Sequence, residues 1–81
     1  MPRPLACGVR YENVDALQVF RRDGWVCQLC GDPTDRALLG QSVARAPTID
    51  HRIPITKGGP HLYSNIQCAH LSCNSRKGNR L

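Results

Sequence analysis

The sequence predicts a small α+β domain stapled by a metal ion. Three observations carry that expectation: a length of 81 residues, an alternation of short helix-like and strand-like segments, and five cysteines. A chain this short forms one domain, and its own core rarely supplies more than roughly 3–5 kcal/mol. Large side chains are scarce, with one Phe, one Trp, one Met and two Tyr. An odd cysteine count fits a closed disulfide framework badly. The opening MPRPLACGVR carries no apolar segment of the signal-peptide kind, and no run is long enough to span a bilayer. The expectation is a reducing cytoplasm, where clustered cysteines bind metal rather than each other, with zinc as the first candidate.

Taken in order, residues 1–12 contain two prolines and little periodicity and are expected to form a flexible basic arm, with 13–81 as the folded domain. Asn13 can cap a helix in which Val14, Leu17 and Phe20 share one stripe, ended by Gly24. Trp25 and Val26 begin a short extended piece, and Trp25 reads as a core residue. CQLCGD follows as a tight turn. Residues 33–47, broken by Pro33, Gly40 and Pro47, read as a loop with a short strand. Thr48–Ile53 has the β-branched content of a strand, Lys57 to Pro60 is a turn, and Asn65 to Gln67 suits a second short strand. The last element is a helix over Leu71–Lys77, with Gly78 placed for a left-handed cap.

The net charge of +5 is unevenly spread. From His51 to Leu81 the chain carries Arg52, Lys57, Arg76, Lys77 and Arg80 and no carboxylate. A surface that meets a polyanion has this footprint, although a solvated basic tail has it too.

Cys27-x2-Cys30 is half of a tetrahedral zinc site, because two thiolates at that spacing chelate one ion from a single turn. The second half is open in CAHLSC, where Cys68 pairs with Cys73 at one spacing and His70 with Cys73 at another. The two-residue gap favours His70 with Cys73, since it repeats the first pair. Cys68 then becomes a small buried residue, and Cys7 an unpaired thiol in the arm.

TIDHRIPITKGG sets two chemically capable residues side by side at the end of the first strand. Hydrolysis of a phosphodiester needs an activated water and a way to stabilise charge on the phosphorus and the leaving oxygen. His51, neutral near pH 7, suits the first task if its second nitrogen finds an acceptor that fixes the tautomer. Asp50 suits the other, as a hard oxygen ligand for Mg2+ or a similar ion. Consecutive strand side chains diverge, which sets a base and a cation at opposite ends of one scissile bond. Alone, the dipeptide reads as a surface pair making local hydrogen bonds.

Read together, Cys27-x2-Cys30, Asp50-His51, Pro54, Gly58-Gly59, Asn65, Gln67, His70-x2-Cys73-Asn74 and Arg76-Lys77-Gly78 resemble the HNH endonuclease family, a branch of the ββα-metal (His-Me finger) nucleases. The resemblance covers about residues 25 to 80, in the expected order and spacing. It implies a zinc-stapled ββα-metal finger preceded by an N-terminal helix. His51 would be the general base, Asp50 and Asn74 the ligands of a catalytic Mg2+ or Mn2+, and Asn65 the brace of the loop that holds the histidine. Cys27, Cys30, His70 and Cys73 would hold the structural zinc; the commoner family form has cysteine where this chain has His70.

Neighbouring helical residues lie about 100° apart, so Cys73 can face the zinc while Asn74 faces the catalytic ion. Arg52 and Lys57 flank the base, and Arg76 and Lys77 follow Asn74; all four are expected to contact phosphates of duplex DNA. Arg80 reads as solvated, and His61 as a loop residue. The resemblance implies 5′-phosphate and 3′-hydroxyl products, from a monomer or weak dimer whose single active site per chain predicts nicking. Small members of this kind are common in phage genomes, and some work beside the packaging terminase. That implies a setting in the host-cell cytoplasm and a role in packaging. Two rival readings stand beside this one: a zinc-stapled DNA-binding module without catalysis, and an RNA-directed nuclease or toxin.

Overall fold

The computed structural model describes residues 11–80. Its elements run α1 (Ala16–Arg22), β1 (Pro47–His51), β2 (Ile66–His70) and α2 (Leu71–Lys77), with 3-10 turns at Arg36–Leu38, Ile55–Lys57 and Tyr63–Asn65. β1 and β2 form a two-stranded antiparallel sheet in which Ile49 faces Cys68 and Asp50 faces Gln67. α2 follows β2 without a connecting residue. The result is a ββα unit with one helix in front of it, the architecture expected from the sequence.

The first helix starts later than expected. Its cap is Asp15, whose Oδ1 accepts from the Leu17 amide at 3.0 Å, and not Asn13. The buried residues are Val19 and Phe20, while Leu17 is 37% exposed. A helix of seven residues is too short for one stripe to decide its facing, so tertiary contacts do. Its C-terminus is bolted to β2: Arg22 donates to the carbonyls of Tyr63 (2.9 Å) and Ile66 (2.5 Å), and the Asp23 carboxylate accepts from the Cys68 amide at 2.8 Å. The amide of Gln28 adds a bond to the Cys68 carbonyl at 2.9 Å. β2 is thus paired with β1 on one edge and covered on the other, which is why all five of its residues are buried.

Two further boundaries move. β1 is Pro47–His51, not Thr48–Ile53, because from Arg52 the chain turns into the loop that carries the glycines. β2 is Ile66–His70, longer and later than Asn65 to Gln67. Among the described residues, 33–46 hold a 3-10 turn capped by Asp35 and no sheet strand. α2 has the expected bounds, but Gly78 caps it at φ 56°, ψ −125°, outside the left-handed helical region. Its first amides are satisfied from outside the helix, Leu71 by the Ala46 carbonyl at 2.9 Å and Ser72 by that of Ala44 at 3.1 Å.

Residues 1–10 of the expected arm, with Cys7, lie outside the described residues. Tyr11 and Glu12 are part of the folded unit: Tyr11 bridges to His61, the Glu12 amide donates to the His61 carbonyl at 2.8 Å, and the Glu12 carboxylate accepts from the Tyr63 amide at 2.7 Å. The core is small, with Val19, Phe20, Ile66, Ala69 and Cys68 its main occupants. No described helix is long and apolar enough to cross a membrane.

Candidate active site and metal centre

The CQLC turn and the start of α2 converge on one point. Cys27, Cys30, His70 and Cys73 each offer a ligand atom, and all four atoms lie within 4.8 Å of one another. The Nδ1 of His70 is 3.4 Å from the Cys30 sulfur and 3.6 Å from the Cys73 sulfur. Zinc–sulfur bonds of about 2.3 Å and zinc–nitrogen bonds of about 2.0–2.1 Å, at tetrahedral angles, set sulfur and nitrogen about 3.5–3.6 Å apart. The measured spacings match, so the residues fit a four-coordinate zinc. His70 turns its other nitrogen, Nε2, to the Pro33 carbonyl at 2.9 Å, which fixes Nδ1 as the ligand atom.

The protonation balance of the cluster agrees. Burial alone would push the Cys27 thiol up, but the amides of His70, Cys30 and Leu29, with the Cys30 side chain, bring it down to about 7. Burial and the neighbouring Cys30 and Cys27 push Cys73 up to about 11. Thiolates at this point repel one another, and a divalent cation supplies the charge that stabilises them together. Cys68 is not in the cluster. Its thiol is fully buried in the core and held up at about 11, mainly by burial. The ambiguity of CAHLSC is resolved for His70.

The second constellation lies at the end of β1. Asp50, His51 and Asn74 line one cavity of about 180 Å³, together with Pro54, Ile55 and Thr56. Asp50 is 3% exposed. Its Oδ2 accepts from Gln67 Nε2 at 2.9 Å, and both of its oxygens lie 3.0 Å from the Lys77 ammonium. Asn74 donates its Nδ2 to the Ile49 carbonyl at 3.0 Å, so the amide oxygen is the atom it offers to the cavity. Asp50 and Asn74 thus bring a carboxylate and an amide to one cavity, from β1 and α2. Asn74 reaches the cavity while Cys73, one residue earlier, reaches the zinc cluster, as helical geometry requires.

His51 turns its Nε2 to His61 Nδ1 at 3.1 Å. Burial, with His61 and Lys77 nearby, holds its imidazole below the ordinary value despite the opposing pull of Asp50. The neutral form of the ring is favoured by this shift.

Asn65 ties the loop between them. It is buried, its Oδ1 accepts from the Ile53 amide at 3.0 Å, and its Nδ2 donates to the carbonyls of Ile53 (3.1 Å) and Pro60 (2.9 Å). The two glycines close the same loop for separate reasons. Gly58 takes φ 84°, and a Cβ on Gly59 would sit 1.8 Å from the Ile53 carbonyl oxygen.

The basic residues divide. Arg52 and Lys57 are exposed beside the cavity, and Arg76 lines a second groove of about 430 Å³ with Leu29, Cys30, Cys73, Lys77 and Arg80. Lys77 is different: besides Asp50 its ammonium donates to the carbonyls of His51 at 2.6 Å and Arg52 at 3.1 Å. Its side chain is only 11% exposed, so its charge serves Asp50 rather than standing free for phosphate. The sequence reading missed this role, that of Gln67 toward Asp50, and that of His61 toward His51. Only Gln67 left a signal, as the cross-strand neighbour of Asp50 once β1 and β2 are paired.

A ββα finger with a Cys3His group able to hold a metal and a cavity lined by a carboxylate, an imidazole and an amide fits the class of metal-stapled nucleic-acid domains. The model of the HNH endonuclease family matches residues 27–80, two-thirds of the chain, and the chain belongs to that family. No curated protein and no solved structure matches it in the corresponding comparisons. Membership points to a nuclease or DNA-binding function, with nucleic acid as partner.

Proposed function

We propose that the protein is a metal-dependent DNA endonuclease that hydrolyses phosphodiester bonds to 5′-phosphate and 3′-hydroxyl ends. The observation that carries this reading is the single cavity shared by Asp50, His51 and Asn74. His51 accepts a proton from water, and the hydroxide so formed attacks phosphorus. Asp50 and Asn74 would hold a divalent cation, which when bound would stabilise charge on the phosphate and on the departing 3′ oxygen, itself protonated from water. Asn65 keeps the loop, and with it His51, in register. Cys27, Cys30, His70 and Cys73 would hold a zinc ion that fixes α2, and with it Asn74, at the site.

Lys77 shares Asp50 with the cation, and Asn74 contributes no charge. The cation therefore binds weakly by itself and tightly only when a phosphate brings further oxygens and negative charge. Arg52, Lys57 and Arg76 are the phosphate contacts; they position the duplex without reading its sequence.

A second reading, a zinc-stapled DNA-binding module without catalysis, draws on the buried ion pair of Asp50 with Lys77, which satisfies the carboxylate without a metal. Plasmid nicking with Mg2+ or Mn2+ separates the two. The nuclease reading expects nicks from the wild type and none from His51→Ala at equal DNA affinity. Binding by both proteins with nicking by neither establishes the module.

A further inference from the structure

The imidazole of His61 is engaged with that of His51, and the reaction proposed above gives it no task. Three features fix its place. His51 Nε2 and His61 Nδ1 are 3.1 Å apart, with ring centroids at 5.3 Å. The Tyr11 ring stacks on His61 at 5.8 Å with 23° between planes, and the Glu12 amide holds the His61 carbonyl. His51 lines the active-site cavity and His61 does not. A second imidazole thus stands beside the first, not among the residues that line the cavity, and is held by the segment that precedes α1.

Only one proton can lie between the two nitrogens, and its position decides what His51 can do. If His61 donates, His51 carries its own proton on Nδ1 and is no base. If His51 donates, its Nδ1 lone pair is free.

We propose, on the strength of the nuclease reading, that His61 is a positioning residue whose Nδ1 accepts from the Nε2–H of His51, leaving His51 Nδ1 as the atom that takes the proton from water. His61 then carries its own proton on Nε2. When water gives a proton to His51 Nδ1, the imidazolium keeps its Nε2–H bonded to His61, and its positive charge is spread toward a neutral acceptor. Tyr11 contributes by holding the His61 ring at the angle this bond needs.

The test uses the zinc-loaded, full-length protein and three variants. His61→Ala removes ring and acceptor; His61→Phe keeps a ring for Tyr11 to stack on but no acceptor; His61→Asn restores an acceptor close to the Nδ1 position. The tautomer of His51 is read by long-range 1H–15N correlation, in a chain with only three histidines to assign. Nicking kinetics on a plasmid with Mn2+ give kcat and KM. The expected result is the Nε2–H tautomer of His51 in the wild type and in His61→Asn, lost in His61→Ala and His61→Phe. kcat should fall about 10- to 100-fold in the Ala and Phe variants with KM nearly unchanged, and recover in large part in Asn.

A His51 that carries its proton on Nδ1 in the wild type overturns the proposal, as does His61→Phe with wild-type kcat or an Asn variant no better than Ala. A wild type that nicks nothing overturns the nuclease reading instead, while the tautomer spectra still decide whether His61 orients His51.

Discussion

The Asp50–Lys77 pair joins a carboxylate and an ammonium whose side chains are 4% and 11% exposed. Removing one member of such a pair leaves the other buried and uncompensated, at a cost of about 3–5 kcal/mol. Lys77→Met is therefore expected to lower the melting temperature of the zinc-loaded protein markedly when no Mg2+ is added. Because Mg2+ can replace the lost charge at Asp50, the variant should regain more stability from added Mg2+ than the wild type does. Equal thermal shifts in the two proteins would mean that Asp50 takes no cation.

His51 offers a pH test at the same scale. Its folded pKa lies below the ordinary 6.5, with burial the largest cause. Its neutral form persists to lower pH than that of a free histidine, so the acid limb of the nicking rate is expected below 6.5. The same shift acts on stability: as pH falls the unfolded chain takes up this proton first. The contribution is full above the unfolded value and is lost as pH drops through the folded one. A pH–rate profile and thermal melts between pH 5 and pH 8 check both signs.

At the scale of elements, the loop from Arg52 to Pro60 and the two ends of α2 decide whether the site exists. Gly59 packs so closely on the Ile53 backbone that Gly59→Ala must move the loop, costing about 3 kcal/mol or more. Asn65→Ala removes the acceptor for Ile53 and the donor to Pro60, and it should lower kcat even with His51 intact. For α2, His70→Ala is expected to lose bound zinc and cooperative unfolding, while Cys68→Ser retains the metal. Metal content by elemental analysis distinguishes them. The reverse result would return the ligand to Cys68.

At the scale of the molecule, the charge is carried by the half of the chain that contains the site. The proposed phosphate contacts of Arg52, Lys57 and Arg76 predict that log K for duplex DNA falls against log [salt] with a slope of roughly −3, lowered by about 1 in Arg76→Ala. Lys77, committed to Asp50, should leave the slope unchanged when replaced by Met; binding isotherms at four salt concentrations check this. The two-stranded sheet packs against α1 and α2, and the Cys3His group lies where β2 meets α2. That arrangement lets so small a core hold two sites.

Much of this protein was legible in local sequence. Paired cysteines, Asp50-His51, the two glycines and the helix over Leu71–Lys77 all lie within short segments whose chemistry is set by spacing, and spacing is what a sequence displays. The choice of His70 over Cys68 was favoured by the same reasoning and needed the fold to decide it, because both residues lie on one short strand and only pairing and twist determine which points at the cluster. The cap of α1 escaped because a seven-residue helix takes its bounds from what it packs on. The commitment of Lys77 to Asp50, 27 residues away, and the meeting of His61 with His51 escaped for the same reason. A contact between side chains from separate elements is fixed by where the backbone brings them, so tertiary structure alone could decide it.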